Sequence, residues 1–421
     1  MTVVCVPNCA FLSETSRMIA IYRSLEEIGV PALMATHGGT FEFVLRQEGI
    51  PYESLEPRVT EEESRQYVDS VVDPRNPILD TDKLEAHVRS EMGFFQQRGA
   101  RAALTGFTLS AALSARGAGI PLVVTHLGSF VPPALERGMF AFAEYFDGPV
   151  SGVLPRAWVD GAAGWLFQRV RWQTPLFNAV ADKLRIDPVR STFDILMGDL
   201  TPVTDVPEIL GIPEDEMEAW RPSDTRYLRP NARLKYVGAI FARLFGQVPE
   251  DVSDFLHTEK PKVFVSLSSS RPEYLGQVVA TLADMDVRAV VAATVHERGL
   301  GESDNILVKG YLPSHRVMPM CNLAIIHGGQ GSVQTAISAG IPLIGFPLQP
   351  EQNFNLRQVE RHGGGCCLSL RSLKREKLRS AVDRVTRDES YRSAMIRLQA
   401  WQAARDGPFE VACAIRSLLR D

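Results

Sequence analysis

Residues 322–367 read NLAIIHGGQGSVQTAISAGIPLIGFPLQPEQNFNLRQVERHGGGCC. The apolar run Leu323 to Ile326 has the length and continuity of a strand buried on both faces. It breaks off at His327, Gly328, Gly329, Gln330, Gly331 and Ser332. Helix-compatible residues then run to Ala339, where Gly340 and Pro342 supply a stop. A second apolar run, Pro342 to Phe346, follows. Strand, glycine loop, helix, strand is the unit that places two parallel strands in one sheet. The glycines admit a ligand close to the backbone. The helix start offers N–H groups, a setting that favours an anion and above all phosphate.

Outward from this motif the same alternation recurs. Upstream, VFVSL (263–267), a helix over 272–284, and strands over 288–293 and 306–308 lead into it. The N-terminal part repeats the pattern. Val3–Val6 is a strand, and Met18, Ile19, Tyr22, Leu25 and Ile28 share one helical face that ends at Gly29. Strands follow at 30–35, 101–104 and 121–125, with an Ala-rich helix over 110–118. Both halves therefore read as α/β, each a parallel sheet covered on both faces by helices. With 421 residues the chain exceeds one ordinary core. The stretch 242–260, with Gly246, Pro249 and several acids, is the expected connection. The expected division is 1–245, then 259–400, then a C-terminal helix within 401–421 that could pack on either domain.

Composition narrows the function. A net charge of −5 and a pI near 6.0 give no support for nucleic acid as a partner. No apolar run reaches the ~18 residues of a membrane span, and MTVVCVPNCAFLSE lacks a basic leader region, so a cytoplasmic location is expected. Six cysteines without zinc-ligand spacing read as reduced thiols. The segment 130–180 is rich in aromatics, Phe142 among them. Trp158, Trp165 and Trp172 recur every seventh residue, which predicts a stripe along one side of a helix. Such a stripe is first of all a core feature; a wall for an apolar ligand or a membrane contact is the functional alternative.

Several familiar motifs are missing. There is no GxxxxGK[ST], and GxGxxG fails at Gln334. No HExxH, GxSxG or EF-hand loop occurs. Asp284-Met285-Asp286 resembles a DxD metal motif but stands at a helix-to-strand corner, where aspartates serve turns. Asp80 reads as a helix cap. No metal ligand set is expected.

The segment from His327 to Gly365 resembles the signature of the UDP-glycosyltransferase family of GT-B fold. HGGQGS, AGIP, Pro347, Glu351-Gln352 and Asn355 occur in the family's order and spacing, over about 40 residues. Weaker agreement extends to GYLP (310–313) and VFVSLSSS (263–270). The resemblance implies two Rossmann-like doubly wound domains facing across a cleft, acceptor on the N-terminal one and nucleotide-sugar on the C-terminal one. By the same resemblance His327, Gly328, Gly329, Gly331 and Ser332 would hold the diphosphate. Tyr311 stands where a tryptophan usually stacks on the base, and Glu351 and Gln352 match the pair that binds sugar hydroxyls. Ser268, Ser269 and Ser270 would face phosphates or acceptor. The nucleotide-sugar is a co-substrate, and no cofactor is implied.

Two departures from the family pattern matter. Thr335 replaces a glutamate that holds the ribose. The usual catalytic histidine and its aspartate are absent: Glu14 falls at the histidine position and Thr105-Gly106 near the aspartate position. Three readings follow. Glu14 is the base; or His37 or His126 serves; or catalysis is lost. A carboxylate with a pKa of about 4.3 needs desolvation or an acidic nucleophile to act as base. Equally, an acid in a first helical turn complements the dipole. His37, His126 and Phe142 are the expected acceptor contacts. The expected function is metal-independent, inverting transfer of a UDP- or dTDP-sugar to a small, partly hydrophobic acceptor, with a homodimer allowed. The alternatives are a non-catalytic GT-B helper and a nucleotide-sugar epimerase of the same fold.

Overall fold

A computed structural model describes residues 2–72, 80–139, 155–243, 246–267, 272–293, 303–370 and 373–420. Its contacts divide the chain into two units. The first comprises Met1–Gly138, Gly161–Ile240 and Arg405–Asp421; the second comprises Phe241–Ala404 with Met139–Asp160.

The first unit is built on seven strands: β1 Thr2–Cys5, β2 Ala32–Thr36, β3 Tyr52–Ser54, β4 Ala100–Thr105, β5 Leu122–Val124, β6 Leu200–Val203 and β7 Arg233–Tyr236. All pairs are parallel, in the order β3-β2-β1-β4-β5-β6-β7. The central strands are apolar along their length, as burial on both faces requires; Val3, Val4, Cys5 and Ala102 to Leu104 are fully buried. The helix Leu12–Glu27 follows β1 and packs against the helix Gly407–Leu418, so the end of the chain is part of the first unit. Asp80 caps its helix as expected, its carboxylate accepting from the Lys83 amide at 2.7 Å.

The second unit carries β8 Lys262–Ser266, β9 Arg288–Ala292, β10 Ile306–Lys309, β11 Leu323–Ile326, β12 Leu343–Gly345 and β13 Gly365–Cys367. These too are parallel, in the order β10-β9-β8-β11-β12-β13. Each sheet reverses direction of growth once, between β1 and β4 in the first and between β8 and β11 in the second. Loops leaving the carboxyl ends of such neighbouring strands diverge, and the crevice they leave is the usual ligand position in an open α/β sheet.

The tryptophan stripe is not core. Trp158, Trp165 and Trp172 are 71%, 58% and 64% exposed, and the helix ends at Phe167, before Trp172. The sevenfold spacing placed Trp158 and Trp165 on one side of that helix, but its packing runs through other residues. Gly164 lies against the Leu135 carbonyl, and Phe167 stacks on Phe130.

Candidate active site

In the second unit the glycine loop leaves β11 at its switch point. His327 is 8% exposed and adjoins the Ser266 backbone at the end of β8. Burial pushes its pKa down, and the Ser266 backbone works against that shift. Its Nδ1 is buried without a hydrogen-bond partner among the described residues, an uncommon state that a ligand oxygen would relieve. Three glycines shape the loop, each for a different reason. Gly328 has φ +97°, a conformation L side chains rarely adopt, and a Cβ there would also meet Leu356 at 2.5 Å. At Gly329 a Cβ would lie 2.9 Å from His327 Nε2, so the missing side chain makes room for the imidazole. At Gly331 a Cβ would meet nothing within 4 Å: this face of the helix start is open.

The helix Gln330–Ala339 begins here with no side-chain cap on its Gly329 N-cap. Glu351 Oε1 accepts from the Gln330 amide at 3.0 Å and from Asn355 Nδ2 at 2.7 Å. Asn355 also donates to the Gly328 carbonyl at 3.1 Å. Asn355 therefore staples the loop to the helix Pro350–Arg361, a role that the motif alone does not reveal. Gln352 is buried and accepts from the Leu348 amide at 2.8 Å. The amides of Gly331 and Ser332 have no acceptor among the described residues, and they carry the positive end of the helix dipole. Thr335 spends its hydroxyl on the Gly331 carbonyl at 2.7 Å. Tyr311, after β10, is 51% exposed. Ser268, Ser269, Ser270 and Phe142 lie outside the described residues.

In the first unit the loops after β1 and β4 meet at the other switch point. Thr105 and Thr108 both donate their hydroxyls to the Val6 carbonyl, at 2.9 and 2.7 Å, which ties the β4 loop to the chain leaving β1. The tie aims two amides at Glu14. Gly106 N donates to Glu14 Oε1 at 2.6 Å and Phe107 N at 3.1 Å. Arg17, one turn on, has its guanidinium 3.8 Å from Oε2. Glu14 is 3% exposed. Its burial raises its pKa above the ordinary 4.5, with Arg17 and the two amides opposing the rise. A Cβ at position 106 would lie 2.0 Å from Glu14 Oε2, so Glu14 fills the space that any side chain at 106 would need.

The other two histidines considered as bases are differently placed. His126 lies two residues past β5, bridged to Val203, and its Nδ1 accepts from the Leu127 amide at 2.9 Å. The ring proton therefore sits on Nε2, which makes this neutral ring a donor; the nitrogen that would take a proton is already occupied. Burial, with the Arg17 charge behind it, holds its pKa down at about 4. Phe130 and Phe193 flank it at 5.9 and 6.5 Å between ring centroids. His37 is built into the interior. Its Nδ1 donates to the Pro57 carbonyl at 2.9 Å, its ring stacks on His87 at 3.8 Å, and Nε2 lies 3.3 Å from Glu91 Oε1. Glu91, fully buried, accepts from the hydroxyls of Ser110 and Ser114.

Among the described residues no cluster of three or more His, Cys, Asp or Glu side chains is arranged to hold a metal ion, and no helix is long and apolar enough to cross a membrane.

Comparison with known proteins agrees with this fold. Residues 276–418 match the family described as erythromycin biosynthesis protein CIII-like, C-terminal domain. The chain is 28% identical over 194 residues to the 3-alpha-mycarosylerythronolide B desosaminyl transferase of Saccharopolyspora erythraea, covering 44% of this chain and 46% of that protein. It is 32% identical over 208 residues to a PGL/p-HBAD biosynthesis rhamnosyltransferase of Mycobacterium bovis, covering 48% and 41%. The chain thus spans less than half the length of the curated relatives it matches. Among solved structures, spinosyn forosaminyltransferase superposes with a TM-score of 0.70 at 15% identity, covering 100% of both chains. The glycosyltransferase VinC in complex with dTDP superposes at 0.69 with 14% identity, again over 100% of both. The two parallel sheets are those of the GT-B fold, and residues 276–418 carry the erythromycin biosynthesis protein CIII-like C-terminal domain within it.

Proposed function

We propose that this protein transfers a sugar from a UDP- or dTDP-sugar to a small acceptor, with inversion and without a metal cofactor. One observation carries the reading: at the second sheet's switch point, His327 and the amides of Gly331 and Ser332, which have no acceptor among the described residues, stand at an open helix start. Charge develops on the diphosphate as the glycosidic bond breaks. Prearranged N–H donors and an imidazole stabilise that charge, typically the largest single contribution to such a rate. The relatives named for desosaminyl and rhamnosyl transfer, and neighbours solved with dTDP and with a spinosyn aglycone, support a deoxysugar donor and a hydrophobic acceptor.

In this reading Glu14 takes the acceptor's proton. Oε1 is held by two amides, and Oε2 is the oxygen available for proton transfer. Incubation with dTDP- and UDP-sugars and an aglycone panel, with release of nucleoside diphosphate as readout, tests the proposal. His327→Ala should lower turnover about 10²–10³-fold. Failure of either nucleoside diphosphate to bind would overturn it. A second reading, a non-catalytic helper, is favoured by the Glu14 contacts themselves, since a carboxylate so fully bonded also makes a structural cap. Nucleotide binding without turnover on any acceptor would select that reading.

A further inference from the structure

The first unit has a cavity of about 290 Å³ that the sites above do not use. Its aromatic wall is made by Trp165, Trp220 and Tyr227; Glu136, Gln168 and Asp224 supply polar groups. Trp165 and Phe167 are two residues apart on one helix, so their side chains point about 200° apart. Phe167 packs on Phe130 and Phe193, the rings that flank His126. The Trp165 cavity therefore opens on the other side of the helix from His126.

Gly161 is the telling residue. It lies inside the helix Arg156–Phe167, where glycine costs about 1 kcal/mol against alanine. Gly164 in the same helix has a packing reason, because a Cβ there would press on the Leu135 carbonyl at 2.7 Å. Gly161 has none. A Cβ would meet nothing within 4 Å, and its φ is not in the left-handed region. What its lack of a side chain does is keep the cavity open, since Gly161 is part of the lining.

We propose that this cavity is a second, non-catalytic binding site for a neutral pyranosyl group. The volume lies at the low end of the ~300–1,000 Å³ of small-molecule sites, enough for one or two sugar rings and too little for a large aglycone. The two acids and one arginine of the lining are each engaged, Asp224 with Arg226 from outside it. Arg169 sits over the Trp165 ring at 4.2 Å, Asp224 is held in a fork by Arg226, and Glu136 accepts from Trp220 Nε1 at 3.4 Å. Tyr227 has Arg169, Arg171 and Arg226 over its ring, so the indoles of Trp165 and Trp220 supply the faces that pack against the C–H face of a pyranose, while the carboxylates accept from its hydroxyls and the Gln168 amide accepts from and donates to them. The inference does not depend on the transferase reading.

Saturation-transfer NMR on the full chain with methyl α-L-rhamnopyranoside and methyl β-D-glucopyranoside tests it, with benzoate as a planar, charged control. We expect at least one glycoside to bind, with affinity falling tenfold or more in Trp165→Ala and in Gly161→Leu, and unchanged in His327→Ala. Gly161→Leu should keep or raise Tm, because leucine is the better helix former and its Cβ meets nothing within 4 Å among the described residues. No glycoside binding, binding lost in His327→Ala but kept in Gly161→Leu, or binding of benzoate alone would each overturn the proposal.

Discussion

Replacing Gly106 by alanine is a small change with a large expected effect, all of it directed at one carboxylate. The backbone tolerates the new side chain, since φ at 106 is outside the left-handed region. The new Cβ would stand 2.0 Å from Glu14 Oε2 and 2.7 Å from its Cδ, whereas real contacts stay beyond 3.0 Å. Glu14 must retreat by about 1 Å in an interior that is close-packed. That retreat breaks the donations from Gly106 and Phe107, at 2.6 and 3.1 Å. Hydrogen bonds to a charged group contribute about 1.5–3 kcal/mol each, and a buried carboxylate left without them adds its desolvation cost. Allowing for relaxation, Gly106→Ala should destabilise the first unit by about 3 kcal/mol. Where Glu14 is the base, turnover should fall about 10²-fold or more.

The decisive form is a double-mutant cycle read by urea denaturation. In a Glu14→Ala background the space around position 106 is vacant, so Gly106→Ala should cost under about 0.5 kcal/mol. A coupling of about 3 kcal/mol is expected. Equal costs in the two backgrounds would refute the reasoning, because the alanine would then be acting on something other than Glu14.

Further outcomes follow from the same geometry. Glu14→His with Gly106→Asp builds at these positions the histidine–aspartate pair that the resemblance implies; the double variant should transfer sugar faster than Glu14→His alone, by product chromatography. Gly331→Ala should leave Tm unchanged yet weaken dTDP or UDP binding tenfold or more by calorimetry, since its methyl meets no protein atom but caps the open helix start. His87, buried and pushed down to about 4, should make the first unit acid-sensitive. Its folded pKa lies below its unfolded one, so stability is full above about pH 6.5 and is lost as pH falls toward 4. At pH 5 the loss should be about 2 kcal/mol relative to pH 7 in urea titrations, and smaller in His87→Gln.

The second unit was the more legible half. HGGQGS between two apolar runs forces a strand, a loop and a helix start, and β11 occupies the very residues Leu323–Ile326 that the run marks out. The short strands β3, β6 and β13 escaped, because three or four residues carry no measurable period, and β6 even contains Pro202. Glu14 and Gly106 could be singled out by position. Their contact could not, because it joins residues 92 apart through backbone amides, which have no sequence signature. The tryptophans misled for a related reason. Periodicity shows that side chains share a side of a helix but not whether that side is buried, and the deciding residues were the small ones, Gly161 and Gly164. His126 shows the same limit. Its donor tautomer is set by the Leu127 amide, invisible in the string of letters.

On the proposed reading of Glu14 as base, the question is how one carboxylate stands in for a histidine. An imidazole base needs a partner to fix its tautomer, which is why an aspartate usually attends it. A carboxylate needs no tautomer fixed; it needs its basicity raised and one oxygen left usable. Burial does the first, against the pull of Arg17 and the two amides. Placing both amides on Oε1 does the second. Gly106 fits this reading: the volume that a side chain at 106 would take is where Glu14 Oε2 lies. A base of this kind should lose activity in acid along a limb set above pH 4.5, the ordinary carboxyl value, and Glu14→Gln should abolish that limb along with most of the rate. A pH profile with the same acid limb in Glu14→Gln would return Glu14 to the role of a helix cap.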